Sequence, residues 1–88
     1  MKVKILGDKY KVIVLEKQEE EMIRNNWGAY INYDDKEIKM MENQQDALIH
    51  ECVHGYLNKI GLDRLNNETD VEIIAKMIQH LAKYVKEW

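Results

Sequence analysis

Residues 46–55 read DALIHECVHG, and extending the window to 43–61, NQQDALIHECVHGYLNKIG, shows what they belong to. Asn43 is a good helix cap, Asp46 suits the positive end of a helix dipole, and Ile49, Val53, Tyr56, Leu57 and Ile60 recur at helical spacing until Gly61 stops the run. The stretch predicts a long amphipathic helix with both ends marked.

Downstream, Leu62 to Asn67 reads as a loop, followed by a second helix from about Thr69 to Lys86. Val71, Ile74, Ala75, Ile78, Leu81, Ala82 and Val85 are its expected buried stripe. A connection this short makes the two helices antiparallel.

Upstream, residues 2–15, KVKILGDKYKVIVL, place Val3, Ile5, Tyr10, Val12 and Val14 at strand spacing around a turn at Gly7 and Asp8. Residues 16–26, EKQEEEMIRNN, suggest a short helix closed by Asn25 and Asn26. Residues 27–41, WGAYINYDDKEIKMM, form a second hairpin turning at Asp34, Asp35 and Lys36. The expected fold is therefore α+β: a small antiparallel sheet of two hairpins packed against two long antiparallel helices. With 88 residues, 45% of them hydrophobic, the chain has material for one core, so residues 1–88 form a single domain.

Composition narrows the partners. The net charge is -3 and Lys and Arg are interspersed with acids, so nucleic acid is not an expected partner. Apolar runs of only four or five residues argue against a membrane span, and MKVKILGDKY lacks the apolar centre of a signal peptide. Cys52 is the only cysteine, so no internal disulfide forms, and a cytoplasmic location is expected.

Within the first helix, His50 and His54 are four residues apart and Glu51 follows the first of them. Four residues rise roughly 6 Å and turn about 400°, so both imidazoles leave nearly the same side and can grip one ion. Zinc in a catalytic site takes three protein ligands and keeps one position open to water. Glu51, offset by about 100°, can reach that water and act as general base. The competing reading makes the three residues exposed polar positions of an amphipathic helix while Ile49 and Val53 pack.

A third ligand must come from the returning helix. Glu72 comes back towards the level of His54, Glu68 stays nearer the loop, and His80 travels roughly 17 Å, past both histidines. Glu72 has a rival role, because Thr69 and Glu72 also form a TxxE capping box. Ligand and cap are mutually exclusive, and the spacing leaves both open.

HECVH followed by Glu72 in the string EIIA resembles the HExxH plus ExxA pattern of gluzincin-type zinc metallopeptidases, in particular the small ImmA/IrrE-like domains of phages and mobile elements. The resemblance runs over about residues 27–85. It implies a minimal zincin-like domain that holds Zn2+ on His50, His54 and Glu72, uses Glu51 as general base and proton shuttle, and hydrolyses peptide bonds of a protein or peptide substrate. The alternative is a catalytically inactive zinc-binding regulatory or protein-interaction module. A metal-free interaction domain is favoured if Glu72 caps Thr69.

Several other residues bear on such a site. Tyr30, Tyr33, Tyr56 and His80 are candidates for stabilising an oxyanion. The strand from Ile38 to Met41 could take an extended substrate by edge addition. Cys52, rotated about 200° from His50, is expected to face the core. Trp27 is expected to bury at the hairpin entry, with a groove wall as the other option.

Overall fold

A computed structural model describes residues 1–42 and 45–85. The expected cap at Asn43 and the helical Lys86 lie outside the described residues. Strands β1 (Lys2–Ile5) and β2 (Asp8–Leu15) precede a short helix α1 (Glu20–Asn25); strands β3 (Ala29–Asn32) and β4 (Glu37–Met41) precede the long helices α2 (Gln45–Ile60) and α3 (Glu68–Val85). A single 3-10 turn, Asp63–Leu65, sits between those two helices. No helix among the described residues is long and apolar enough to cross a membrane.

Both hairpins form. The first turns at Leu6 and Gly7, both with positive φ, as a two-residue hairpin loop requires. Asp8 is not part of that turn, as the sequence suggested, but opens β2, where its carboxylate meets Lys36 and Lys59. In the second hairpin the N–H of Asp35 donates to Oδ1 of Asn32, a side-chain bond that closes the reversal over the expected residues.

The sheet is mixed where a purely antiparallel one was expected. Its order is β1-β2-β4-β3, with β2 and β4 parallel and the outer pairs antiparallel. The reason lies in β4, whose Ile38 and Met40 are the hairpin's most apolar pair and are 0% and 5% exposed. A central place for β4 gives them neighbours on both sides, and because α1 carries the chain across, β2 and β4 run parallel and β3 is left at the edge. On the outer face Lys2 stands opposite Lys11 and Lys4 opposite Lys9, all four exposed to solvent.

Helix α2 serves two cores. Leu48 and Cys52 pack on the sheet cluster of Ile5, Tyr10, Val12, Ile38 and Met40, while Val53 and Leu57 join Val71 and Ala75 of α3. Gly55 lets the helix approach the sheet, since a Cβ there would lie 2.7 Å from Cδ1 of Ile5 and 3.2 Å from Cδ1 of Ile31. Cys52 is a free, half-buried thiol facing the sheet as expected, and burial pushes its pKa up.

The buried stripe expected on α3 is only half covered. Val71 and Ala75 are buried and Ile74 is partly so, but Ile78, Leu81, Ala82 and Val85 are exposed. The cause is register. Ala75 and Gln79 already stand beside Asp46 and Ala47 in the first turn of α2, so the remainder of α3 runs past the end of its partner. Periodicity identifies an apolar face but not how much neighbour there is to cover it.

Candidate metal centre

The connection from α2 to α3 sets up the site. After Ile60, Gly61 takes φ 77° and the N–H of Leu62 returns to the carbonyl of Leu57, a Schellman-type stop. The 3-10 turn folds the chain back, and Asn67 caps α3 by accepting the N–H of Asp70 on Oδ1 at 2.9 Å while its Nδ2 donates to the Asp70 carboxylate at 2.7 Å. This NxxD cap replaces the TxxE box proposed for Thr69 and Glu72. Helix α3 therefore begins at Glu68, and Glu72 is released from capping.

Glu68 and Glu72, one turn apart, both face the histidine pair. Oε2 of Glu68 lies 3.0 Å from Nε2 of His50, and Oε1 of Glu68 lies 3.0 Å from Nε2 of His54. Oε2 of Glu72 lies 3.0 Å from Nδ1 of His50, and Oδ1 of Asn66 lies 2.6 Å from Nδ1 of His54. The sequence offered Glu72 for the third ligand position; in the structure it is Glu68 whose carboxylate oxygens meet Nε2 of both histidines. Glu72 sits on the far nitrogen of His50 and orients the ring. The connection, estimated as a plain loop, is shortened by its 3-10 turn and the earlier helix start, which bring Glu68 level with both rings.

His50, His54 and Glu68 form a group that could hold a metal ion, their candidate ligand atoms lying within 4.8 Å of one another. The hydrogen bonds make the case chemically. A neutral imidazole has one N–H, and Glu72 and Asn66 are acceptors for it at Nδ1 in each ring. With the proton on each Nδ1, both Nε2 lone pairs face carboxylate oxygens of Glu68, an arrangement that calls for positive charge between them, supplied by a bound cation or by protons on the rings. Metal-binding histidines are commonly oriented by a carboxylate or carbonyl on the second ring nitrogen, the role of Glu72 and Asn66 here.

Glu51 is 7% exposed and lines a cleft of about 360 Å³ together with His54 and Glu68. Desolvation, then the nearby charge of Glu68, pushes its pKa up to about 8. The opposite wall is β3, through Ala29 and Ile31, flanked by Trp27 and Tyr33. Trp27 is 40% exposed on this wall, so the burial expected for it at the hairpin entry does not occur. The strand expected to present an open edge, β4, is interior; the open edge beside the cleft belongs to β3.

Of the four groups considered for an oxyanion, the structure brings only Tyr33 to the site with its hydroxyl near a ligand. That hydroxyl donates to the His54 carbonyl at 3.4 Å and accepts from Nδ2 of Asn66 at 3.3 Å; burial raises its pKa. The Tyr30 hydroxyl is bound to Glu19, Tyr56 lies on another side of α2 beside Val3 and Ile5, and His80 stacks edge-on against Tyr84. Asn66 escaped the sequence reading and Glu68 was placed too near the loop, although Asn67 and Asp70, spaced as a cap pair, were the signal that could have placed the helix start at Glu68.

No family model matches the chain, and neither a curated protein nor a solved structure matches it.

Proposed function

We propose that this chain is a zinc-dependent metallopeptidase whose ligands are His50, His54 and Glu68, with Glu51 as general base. The carrying observation is the convergence of both Nε2 atoms on the one Glu68 carboxylate, with each Nδ1 held from behind. Two imidazoles and a carboxylate, open to a cleft on one side, are a donor set that suits zinc. When bound, zinc supplies Lewis acidity towards a substrate carbonyl, acidifies a water and favours the ionised form of Glu51.

The chain's own residues do the rest. Glu51, beside His54 in the cleft, accepts the proton of the attacking water and returns it to the leaving amide nitrogen. Its burial suits the task, since a carboxylate held out of water, once ionised beside the metal, is a stronger base than an exposed one. The outward backbone groups of β3 have no strand partner among the described residues, so an extended peptide can add there and lie across the cleft. Trp27 offers an apolar wall for one side chain of that peptide.

The cleft is small and Glu68 is 82% exposed, which favours a second reading, a zinc-binding regulatory module without hydrolysis. Purification in zinc-replete, chelator-free buffer, followed by metal analysis and incubation with unfolded protein, separates the two. One zinc per chain with cleavage that stops in Glu51→Gln is the expected result. Zinc without cleavage supports the module, and a chain that takes up no zinc sinks both.

A further inference from the structure

Helix α3 has a second apolar face that no part of the described chain covers. At 100° per residue, Ile73, Met77, Leu81 and Tyr84 fall within about 80° of one another, turned well away from the Val71 and Ala75 positions that meet α2. They are 54%, 59%, 58% and 57% exposed. A surface helix normally has one apolar stripe, and a second one marks a contact.

We propose that this face joins α3 to the α3 of a second copy of the same chain, antiparallel and centred on Met77. Asp70 and Tyr84 lie seven residues on either side of Met77, and the three occur at the heptad spacing of a helix-pairing seam. In an antiparallel pair centred there, each Asp70 meets the Tyr84 of the second copy, and each Ile73 meets a Leu81. The chemistry is complementary. Asp70 has no cationic partner among the described residues and uses only one carboxylate oxygen in the cap, while Tyr84 carries a hydroxyl donor with Lys83, also unpaired, beside it.

The helix dipoles favour the same alignment, since the acidic first turn of each α3 approaches the basic last turn of the other. A parallel pair would set Asp70 against Asp70. The area is adequate as well. Side chains of this size at such exposure contribute on the order of 100 Å² each, and with the rims at Ile78 and Val85 the surface reaches about 600 Å² per copy, the lower end of specific interfaces. Glu68 and Glu72 project from a different side of the helix, so the pairing leaves the metal centre open.

Sedimentation equilibrium and light scattering on the intact chain test this. A dimer is expected at roughly micromolar to 100 μM concentrations, and Met77→Glu and Leu81→Glu, both at exposed positions, should give monomers with unchanged circular dichroism and unchanged metal content. The arrangement has its own test. In a Cys52→Ala background under oxidised glutathione, Met77→Cys should cross-link to itself, while Ile73→Cys should cross-link only when mixed with Leu81→Cys. A chain that stays monomeric to 100 μM, dimers that survive both glutamate variants, or self-linking of Ile73→Cys in place of Met77→Cys each overturn the proposal.

Discussion

One carboxylate, that of Glu68, reaches two imidazoles: its oxygens lie 3.0 Å from Nε2 of His50 and 3.0 Å from Nε2 of His54. Glu72, a turn later, meets only the back of His50 of the two histidines, its other oxygen lying 3.6 Å from Nζ of Lys76. The two glutamates should therefore fail differently. Glu68→Ala is expected to abolish stoichiometric zinc binding, whereas Glu72→Gln should keep the metal and weaken it by about 10- to 100-fold, as loss of an orienting partner does. Competition against a coloured zinc chelator measures both, and equal losses would contradict the division of roles.

Glu51 makes the metal-free protein sensitive to pH. Its folded pKa, about 8, is above the ordinary value of 4.5, so between those limits the folded chain keeps a proton that the unfolded chain releases. Stability of the chelator-treated protein should fall as pH rises through that window and level off above it, by on the order of 2–4 kcal/mol in all. Glu51→Gln should flatten this dependence. Urea melts from pH 4.5 to 9 check it, and a wild-type profile parallel to that of the variant would refute the assignment.

Asp8 acts in the opposite sense. Hydrogen bonds from Lys59 and Lys36 hold its carboxyl below the usual carboxylate range, tying the first hairpin to the second and to the end of α2. The stabilisation is present above the ordinary aspartate pKa and is lost as pH falls through the depressed folded value. Asp8→Asn should be less stable than wild type at neutral pH, equal to it in strong acid, and closer to it in high salt. A gap that persists at acid pH would show that the side chain's shape, not its charge, matters.

Gly55→Ala tests the closeness of α2 to the sheet. Alanine improves helix propensity by about 1 kcal/mol, but its methyl would press on Ile5, which is 1% exposed, at a cost of about 1–3 kcal/mol. A net loss of about 1 kcal/mol is expected. Adding Ile5→Val removes the offending Cδ1, so the double variant should be more stable than the two single losses sum to. Additive losses in denaturant melts would argue against the contact.

How far the sequence reveals this molecule depends on how local each feature is. Helix α2 was legible because its periodicity and its stop at Gly61 lie within one stretch, and HECVH brought both histidines to one side on spacing alone. The hairpins were legible from alternation and turn residues. The parallel pairing of β2 with β4 was not, since Val12 opposite Ile38 is a contact between distant segments that no local pattern encodes. Which glutamate meets both Nε2 atoms turned on which of two overlapping cap signals, Asn67 with Asp70 or Thr69 with Glu72, the backbone adopts. The overshoot of α3 depends on where α2 begins, a matter of register between helices.

Because α2 is shared between the sheet cluster and the α3 cluster, both histidines of the candidate centre sit on the one rod that both cores grip, and Glu68 reaches them from the start of α3. Ile38 and Val71 belong to different clusters, and each fixes one side of the helix that carries both histidines. The affinity of the centre for its ion is thus a gauge of packing throughout the domain, and a chain loosened anywhere along that rod should reveal it first as a leaky metal site.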